Sequence, residues 1–323
     1  MVESSIINMD IQRFLKTQLS ELAQQFQLTG WPSDEHINLL CQRAAGLFIY
    51  AAATIKFLDH KIYPPRQQLD AIVNLPECTT YEGTARFKAN TTLDSLYTSI
   101  LQMALDFGAD DPKADSRIQS TIGTVVLVVD PLPPLGIAEL IGLEAEQVVM
   151  ILTLVQSLLT ISEDPTCPVK PFHKSFPDFI TDPSCCLNKR FYICPETLHC
   201  ELTINCLRLM NDMLRKNPLS LPNYALNSEV KDLPDKVKGH ISSALEYACK
   251  YWHNHLTKTR ENITHILDAL HMFLEKKFLP WLEVISVLGL QGMLLLQWKA
   301  LCYGSRRFVQ ANFGVLCVTN GLN

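Results

Sequence analysis

Apolar side chains recur at intervals of three and four residues along the N-terminal part of the chain, which predicts amphipathic helices. A first helix is predicted to begin at Asp10, a residue type suited to an N-cap. Ser33 is predicted to cap a second helix that continues to His60, and Pro65 predicts the start of a short third one. The buried face of the first helix is predicted to comprise Ile11, Phe14, Leu15, Leu19, Leu22 and Phe26.

The helical period is interrupted at residues 77–91, which are polar and aperiodic and are predicted to form a linker. Beyond it, the pattern changes at Val169–Phe172, a segment that is predicted to be extended. Helices followed by a small extended wing are typical of a winged-helix domain, which is predicted over 92–188. Within this domain, helices are predicted at 93–105, 116–129, 137–141 and 144–161.

The chain becomes helical again at Pro195, and helices are predicted as far as residue 303, apart from a polar loop over 217–236. The predicted fold class is all-α, with helical bundle modules and a central winged-helix domain that carries a small β wing. The predicted modules are a helical one at 1–76, the linker, the winged-helix domain, a second helical one at 189–303 and a tail at 304–323.

Composition narrows the function classes. Hydrophobic residues make up 47% of the 323 residues, which is enough for buried cores. The formal net charge of −5 does not favour nucleic acid as a partner, because phosphate contacts need clustered lysines and arginines. The longest apolar stretches, Val148–Ile161 and Val284–Trp298, are shorter than the roughly 20 residues that span a bilayer, so no membrane partner is predicted.

Cysteine usage indicates the compartment. The 11 cysteines form an odd, unpatterned set, which fits a reducing environment better than a disulfide framework. The N-terminal sequence lacks the basic start and long apolar run of a signal peptide. The predicted localisation is therefore cytoplasmic.

Motifs for phosphate chemistry are missing. The chain contains no Gly-Lys dipeptide, so it lacks the P-loop that an ATPase needs, and no catalytic residue is predicted. Asp130 follows the apolar run 125–129 in the manner of a Mg²⁺-binding strand end. Such an aspartate has no role without a P-loop, so we interpret this segment as the end of a helix.

Spacing also argues against a metal site. Cys194, His199 and Cys200 lack the paired short spacings of a zinc site. His253 and His255 are two residues apart and lie on different faces of a predicted helix. No metal ligand is predicted. A Cys/His nucleophile stays open as an alternative, because its members need not be close in sequence.

Six stretches of the chain contain sequence motifs in addition to helical periodicity. The most specific is Pro171-Phe172-His173-Lys174-Ser175-Phe176-Pro177-Asp178-Phe179-Ile180. The others are Trp31–Ser33 with Arg43–Ala52, Leu93–Leu101, Val126–Leu159, Ala248–Leu256 and Phe278–Val284. In their order along the chain they resemble fungal NACHT-domain receptors, which are STAND-type signalling ATPases related to NOD-like receptors. The stretch Pro171–Ile180 matches the His-x-Ser-Phe-x-Asp-Phe signature of that family.

The resemblance implies a set of nucleotide contacts. In such receptors the winged-helix histidine reaches the β-phosphate of bound ADP and holds the closed, inactive state, and this residue corresponds to His173. Gly46 and Leu47 correspond to a turn near the nucleotide base. No cofactor is expected for this chain alone, whereas ADP or ATP with Mg²⁺ is expected in a parent receptor.

The resemblance also implies a function. The chain is expected to be the part of a receptor between the P-loop core and WD40-type repeats, and to couple nucleotide state to a sensor domain in non-self recognition or programmed cell death. It is expected not to be an enzyme by itself. Its expected partners are proteins or further domains of the same receptor, with oligomers forming on activation. The alternative is a helical scaffold or adaptor that binds protein partners independently of nucleotide.

Overall fold

The computed structural model describes residues 2–60, 63–74, 85–105, 113–222, 227–259 and 263–294, which are mostly helical. The first eight helices are α1 (Val2–Gln25), α2 (Asp34–Ala44), α3 (Phe48–Leu58), α4 (Pro65–Val73), α5 (Ala85–Leu105), α6 (Ala114–Leu127), α7 (Pro134–Ile141) and α8 (Ala145–Leu154). They are followed by α9 (Ser175–Thr181), α10 (Pro195–Met213), α11 (Leu233–His240), α12 (Ser243–Lys258), α13 (Ile263–Lys276) and α14 (Phe278–Val287). The mostly helical character predicted from the sequence is confirmed.

An antiparallel hairpin separates α8 from α9. It consists of β1 (Leu159–Thr160) and β2 (Lys170–Pro171), with Leu159 opposite Pro171. The extended segment predicted at Val169–Phe172 therefore contains a strand. The helix predicted over 144–161 was too long: α8 stops at Leu154, Gln156–Leu158 form a 3₁₀ turn, and Leu159 and Thr160 pair with β2.

The chain divides into two compact units. Unit 1 contains Met1–Gln119, Val149–Glu163 and Val169–Ile193, and unit 2 contains Ser120–Val148, Asp164–Pro168 and Cys194–Asn323. These units are defined by compactness and do not coincide with the modules predicted from the sequence. The predicted limits of those modules stay a prediction.

The second predicted helix is wrong in its length, because it is broken in the middle. Ser33 is its N-cap as predicted, and the Ser33 hydroxyl accepts from the backbone N–H of His36. Ala45 then adopts a left-handed conformation with φ of 46°, and Gly46 follows with φ of 83°. This left-handed pair ends α2 and lets the chain restart as α3.

Three other predicted boundaries are corrected. Helix α1 begins at Val2 and contains Asp10 in its interior; Ile6 and Met9 are exposed, so they did not extend the buried pattern. Helix α5 begins at Ala85, inside the predicted linker, whose residues 77–84 lie outside the described part of the chain. The first half of helix α11 lies in the predicted loop 217–236, and the helix buries no side chain, so it shows no apolar period. The predicted tail 304–323 also lies outside the described residues.

Each unit has a core of its own. In unit 1, α1 buries Ile11, Leu15, Leu19 and Leu22, four of the six predicted positions, and packs with α2 and α3. In unit 2, α10 packs with α12 and α13. An aromatic series in unit 2 joins Trp252 to Phe273 and Phe273 to Trp281, with ring centroids 5.8 Å apart in both pairs.

No helix in the described part of the chain combines the length and apolarity needed to cross a bilayer.

Candidate functional site

Buried aromatic side chains hold the segment that carries His173. This residue lies between the β hairpin and α9, in unit 1. Helix α9 buries Phe176 and Phe179, whose ring centroids lie 5.6 and 5.5 Å from that of Tyr97 in α5. The aromatic packing anchors the backbone just after the histidine, as the Phe-x-x-Phe spacing on one helix face allows.

Hydrogen bonds determine the tautomer of the neutral His173 ring. The Ser175 backbone N–H donates to Nδ1 at 3.2 Å, and Ser175 Oγ lies 2.8 Å from the same nitrogen. The Tyr97 hydroxyl lies 2.7 Å from Ser175 Oγ. Burial raises the pKa of Tyr97 to about 12, so this hydroxyl keeps its proton at neutral pH and donates it to Ser175. Ser175 in turn donates to Nδ1.

The neutral His173 ring therefore carries its proton on Nε2, because Nδ1 is used as an acceptor. The side chain is exposed, and among the described residues none bonds to Nε2. The arrangement presents one oriented N–H donor at the surface. Such a donor suits an anionic oxygen.

Lysines surround the His173 segment. Lys170 and Lys174 are exposed on either side of it. Lys56, in α3, donates to the carbonyl oxygen of Leu159, and its ammonium lies 4.6 Å from the centroid of the Phe172 ring. Burial lowers the pKa of Lys56. The surface next to the histidine is therefore basic.

Gly46 and Leu47 form the turn that precedes α3. Gly46 is in the left-handed region, and a Cβ added there would have no atom within 4 Å, so the glycine is required by its φ angle and not by crowding. Leu47 is the N-cap of α3. Lys56, which contacts the His173 segment through Phe172, lies nine residues further along the helix, a rise of about 13 Å. The contacts described above thus do not bring Gly46 or Leu47 to His173.

A second site, which sequence reasoning missed, is a cleft in unit 2. Its volume is about 170 Å³, and one wall is the loop 130–133. The other wall is a single face of α12, since its lining residues are three and four positions apart. These residues are Ser243, Glu246, Tyr247, Lys250 and Tyr251.

Polar side chains in the cleft are paired. The Tyr251 hydroxyl donates to the Asp130 carboxylate, and Lys250 forms an ion pair with Glu246. Burial and the neighbouring Asp130 raise the pKa of Tyr251 to about 12. Asp130, considered above as a metal ligand, is therefore a hydrogen-bond acceptor in the loop after α6.

The floor of the cleft connects to two buried histidines. The Tyr247 hydroxyl accepts from the Val129 backbone N–H at 3.1 Å and lies 2.7 Å from His255 Nε2. His255 Nδ1 lies 2.8 Å from His199 Nδ1. The Tyr247 oxygen accepts a hydrogen bond from Val129, and the Tyr247 hydroxyl and His255 Nε2 share a second hydrogen bond. The two Nδ1 atoms share one hydrogen bond, so one ring donates from Nδ1 and the other accepts there.

Both histidines in this hydrogen-bonded series are neutral. Burial lowers the pKa of His199 and of His255, and the positive charge of Lys258 adds to the effect on each. His199 further lowers the pKa of His255. Each ring therefore has one donor and one acceptor nitrogen, which the series Tyr247 to His255 to His199 requires.

The sequence had a partial signal for this pairing. His199 was considered with Cys194 and Cys200, and His255 with His253, so each was grouped with its neighbours in sequence. A histidine on the buried face of α10 and another on the buried face of α12 predict a polar contact only if those two helices pack together. Their separation by 56 residues hid that fact.

Burial makes most of the characterised thiols poor nucleophiles. It raises the pKa of Cys186 to about 11 and raises the pKa of Cys206 and Cys249 further. The pKa values of Cys41 and Cys185 are raised by the same cause. Since the thiolate is the attacking species, these five cysteines do not favour the Cys/His alternative.

Within the described residues, no group of three or more His, Cys, Asp or Glu side chains is arranged to hold a metal ion.

No protein-family model, curated protein or solved structure matches this chain at a significant level.

Proposed function

We propose that this chain is the regulatory helical and winged-helix portion of a NACHT-type signalling ATPase, and that His173 Nε2–H donates to the β-phosphate of ADP. The observation that carries the proposal is the oriented Nε2–H of His173, fixed by Ser175 and Tyr97. Lys170 and Lys174 add positive charge on both sides, which suits a diphosphate. The order of elements, α6, α7 and α8 followed by the β hairpin, supports the winged-helix part of the proposal.

In this function the chain couples nucleotide state to domain position and has no catalytic role by itself. A diphosphate that contacts His173 stabilises the conformation in which this contact exists, and loss of the contact shifts the population. The setting is the cytoplasm. The partners are the ATPase core that supplies the P-loop, a sensor domain, and further copies of the receptor on activation.

The test is ADP binding, measured by calorimetry, to the chain joined to an ATPase core that supplies the P-loop, with His173→Ala as the variant. A charge-assisted hydrogen bond contributes about 1.5–3 kcal/mol, so His173→Ala should weaken ADP binding about tenfold or more. His271→Ala is the matched control, because His271 is an exposed histidine in unit 2. Equal ADP affinity of the original chain and of His173→Ala would overturn the role of His173.

The nucleotide-independent scaffold is the second candidate. It is favoured by large apolar side chains that are exposed, including Leu187 at 80% and Leu279 at 70%. Such side chains are suited to contacts with protein partners. A chain that, joined to an ATPase core, leaves ADP binding unaffected by His173→Ala, together with a protein partner whose affinity is the same for His173→Ala, would favour the scaffold over the nucleotide-coupled function.

A further inference from the structure

The cleft in unit 2 has the shape of a small-molecule site. The loop 130–133 contributes two prolines and a leucine, and α12 contributes the rings of Tyr247 and Tyr251. The ring centroids of the two tyrosines are 5.1 Å apart, and the ring planes are inclined at 48°. Tyr247 is only 2% exposed and forms the floor, whereas Tyr251 is partly exposed and forms a side. Most of the surface that a ligand would touch is therefore apolar or aromatic.

The charges in the cleft do not cancel. Glu246 and Lys250 neutralise each other as an ion pair. Asp130 accepts from the Tyr251 hydroxyl, which is uncharged at neutral pH, so this contact leaves the carboxylate negative. The cleft thus has one net negative charge among aromatic and proline side chains.

We propose that this cleft binds a small organic cation, namely an alkylated ammonium group such as that of choline or of a methylated lysine side chain. Asp130 supplies the opposite charge, and the Tyr251 ring supplies a cation–π contact. The alkyl groups pack against the prolines. This site is in unit 2 and is independent of the function proposed for His173 in unit 1.

Other ligand classes fit less well. A phosphate or carboxylate would be repelled by Asp130 and Glu246, and Lys250 is already paired with Glu246. A metal ion would need oxygen ligands in place of the apolar walls. An alkylated ammonium group has a low cost of dehydration and needs no hydrogen-bond acceptors, so a cleft with one carboxylate and apolar walls is sufficient for it.

The experiment compares choline with 3,3-dimethylbutan-1-ol, which has the same shape and no charge. Binding of each to the full chain is measured by ligand-observed NMR and calorimetry. We expect choline to bind and the neutral alcohol to bind at least about threefold more weakly, as a cation–π contact at a partly exposed site implies. Equal binding of the two compounds, or no binding of choline at tens of millimolar, would overturn the proposal.

Two variants locate the binding in the cleft. Asp130→Asn keeps an oxygen that can accept from Tyr251 but removes the charge, and it should weaken choline binding severalfold. Tyr251→Phe keeps the ring and should retain binding, whereas Tyr251→Leu should lose it. Asp235→Asn, which removes an exposed carboxylate in α11, is the control and should have no effect. If Asp130→Asn does not fold, Glu246→Gln makes the net charge of the cleft more positive by the same amount, because the charge of Lys250 is then no longer offset by Glu246, and it should also weaken choline binding. Unchanged choline affinity in the folded charge-removing variant would sink the assignment.

Discussion

At the scale of single residues, the hydroxyl group of Ser175 forms two hydrogen bonds that have different consequences. The Ser175 hydroxyl accepts a hydrogen bond from the buried Tyr97 hydroxyl and donates one to His173 Nδ1. The first contact satisfies a polar group in the core of unit 1. The second, together with the Ser175 backbone N–H, fixes the orientation and the tautomer of the histidine.

Ser175→Ala should destabilise the protein because it leaves the Tyr97 hydroxyl buried without its partner. The expected loss in free energy of unfolding is about 1–3 kcal/mol, measured by urea denaturation. The fraction of His173 with the proton on Nε2, measured from imidazole ¹⁵N shifts, should also fall. The double variant Tyr97→Phe with Ser175→Ala removes both partners and should be more stable than Ser175→Ala alone. Exposed Ser228→Ala serves as the control, and an equal loss in that variant would contradict the argument.

At the scale of elements, the end of α7 depends on Gly142. This residue has φ of 70° and ends the helix in a left-handed conformation. A Cβ at this position would lie 3.0 Å from two nitrogens of Arg208, which donates to the carbonyl oxygen of Leu140. The glycine is thus required by its backbone conformation, and a side chain here would also displace the Arg208 guanidinium slightly.

Gly142→Ala should lower the free energy of unfolding by roughly 1–2 kcal/mol, because an L-residue is strained in the left-handed region. Urea denaturation measures the change. Gly239→Ala is the matched control: Gly239 lies in α11, has an ordinary φ, and has no atom within 4 Å of an added Cβ. It should gain up to about 1 kcal/mol, since alanine is the better helix former. A gain in both variants would show that the end of α7 tolerates a side chain.

Local signals in the sequence predicted the parts of these elements that depend on few residues. The Ser33 N-cap and the helix starts at Pro65 and Pro195 follow from the chemistry of a single residue. The break at Ala45–Gly46 was missed because a single glycine is tolerated inside a helical pattern. Strand β1 was missed because its conformation depends on pairing with β2, which lies eleven residues further along.

The candidate sites show the same limit. The motif around His173 identified the histidine, but not the Tyr97 contact that fixes its ring. The cleft and the series Tyr247 to His255 to His199 depend on which helix faces pack together in unit 2. That information is not contained in the period of any single helix.

At the scale of the whole molecule, the stability of unit 2 is linked to pH through its buried histidines. The pKa values of His199 and His255 are lower in the folded state than the ordinary value of about 6.5 that applies on unfolding. The unfolded chain therefore binds more protons below about pH 6.5. The stabilisation is complete above that pH and is lost as pH falls toward the lowered pKa values.

We expect the free energy of unfolding to be constant near pH 7–8, as far as these two groups are concerned, and to decrease from about pH 6.5 downward. Urea denaturation at pH 7.5, 6.5 and 5.5 measures the slope. His199→Gln cannot be protonated and should show a smaller slope. His271→Gln, an exposed control, should keep the original slope. Identical slopes for His199→Gln and the original chain would contradict the linkage.

Lys56 joins α3 to the hairpin through one ammonium group, which donates to the end of β1 and lies over Phe172. The cation–π contact depends on the positive charge, and acetylation of a lysine removes that charge together with this contact. The attachment of the His173 segment to α3 is therefore open to covalent control at a single nitrogen. An acyl group on Lys56 would therefore weaken one link between α3 and the hairpin without altering the histidine itself.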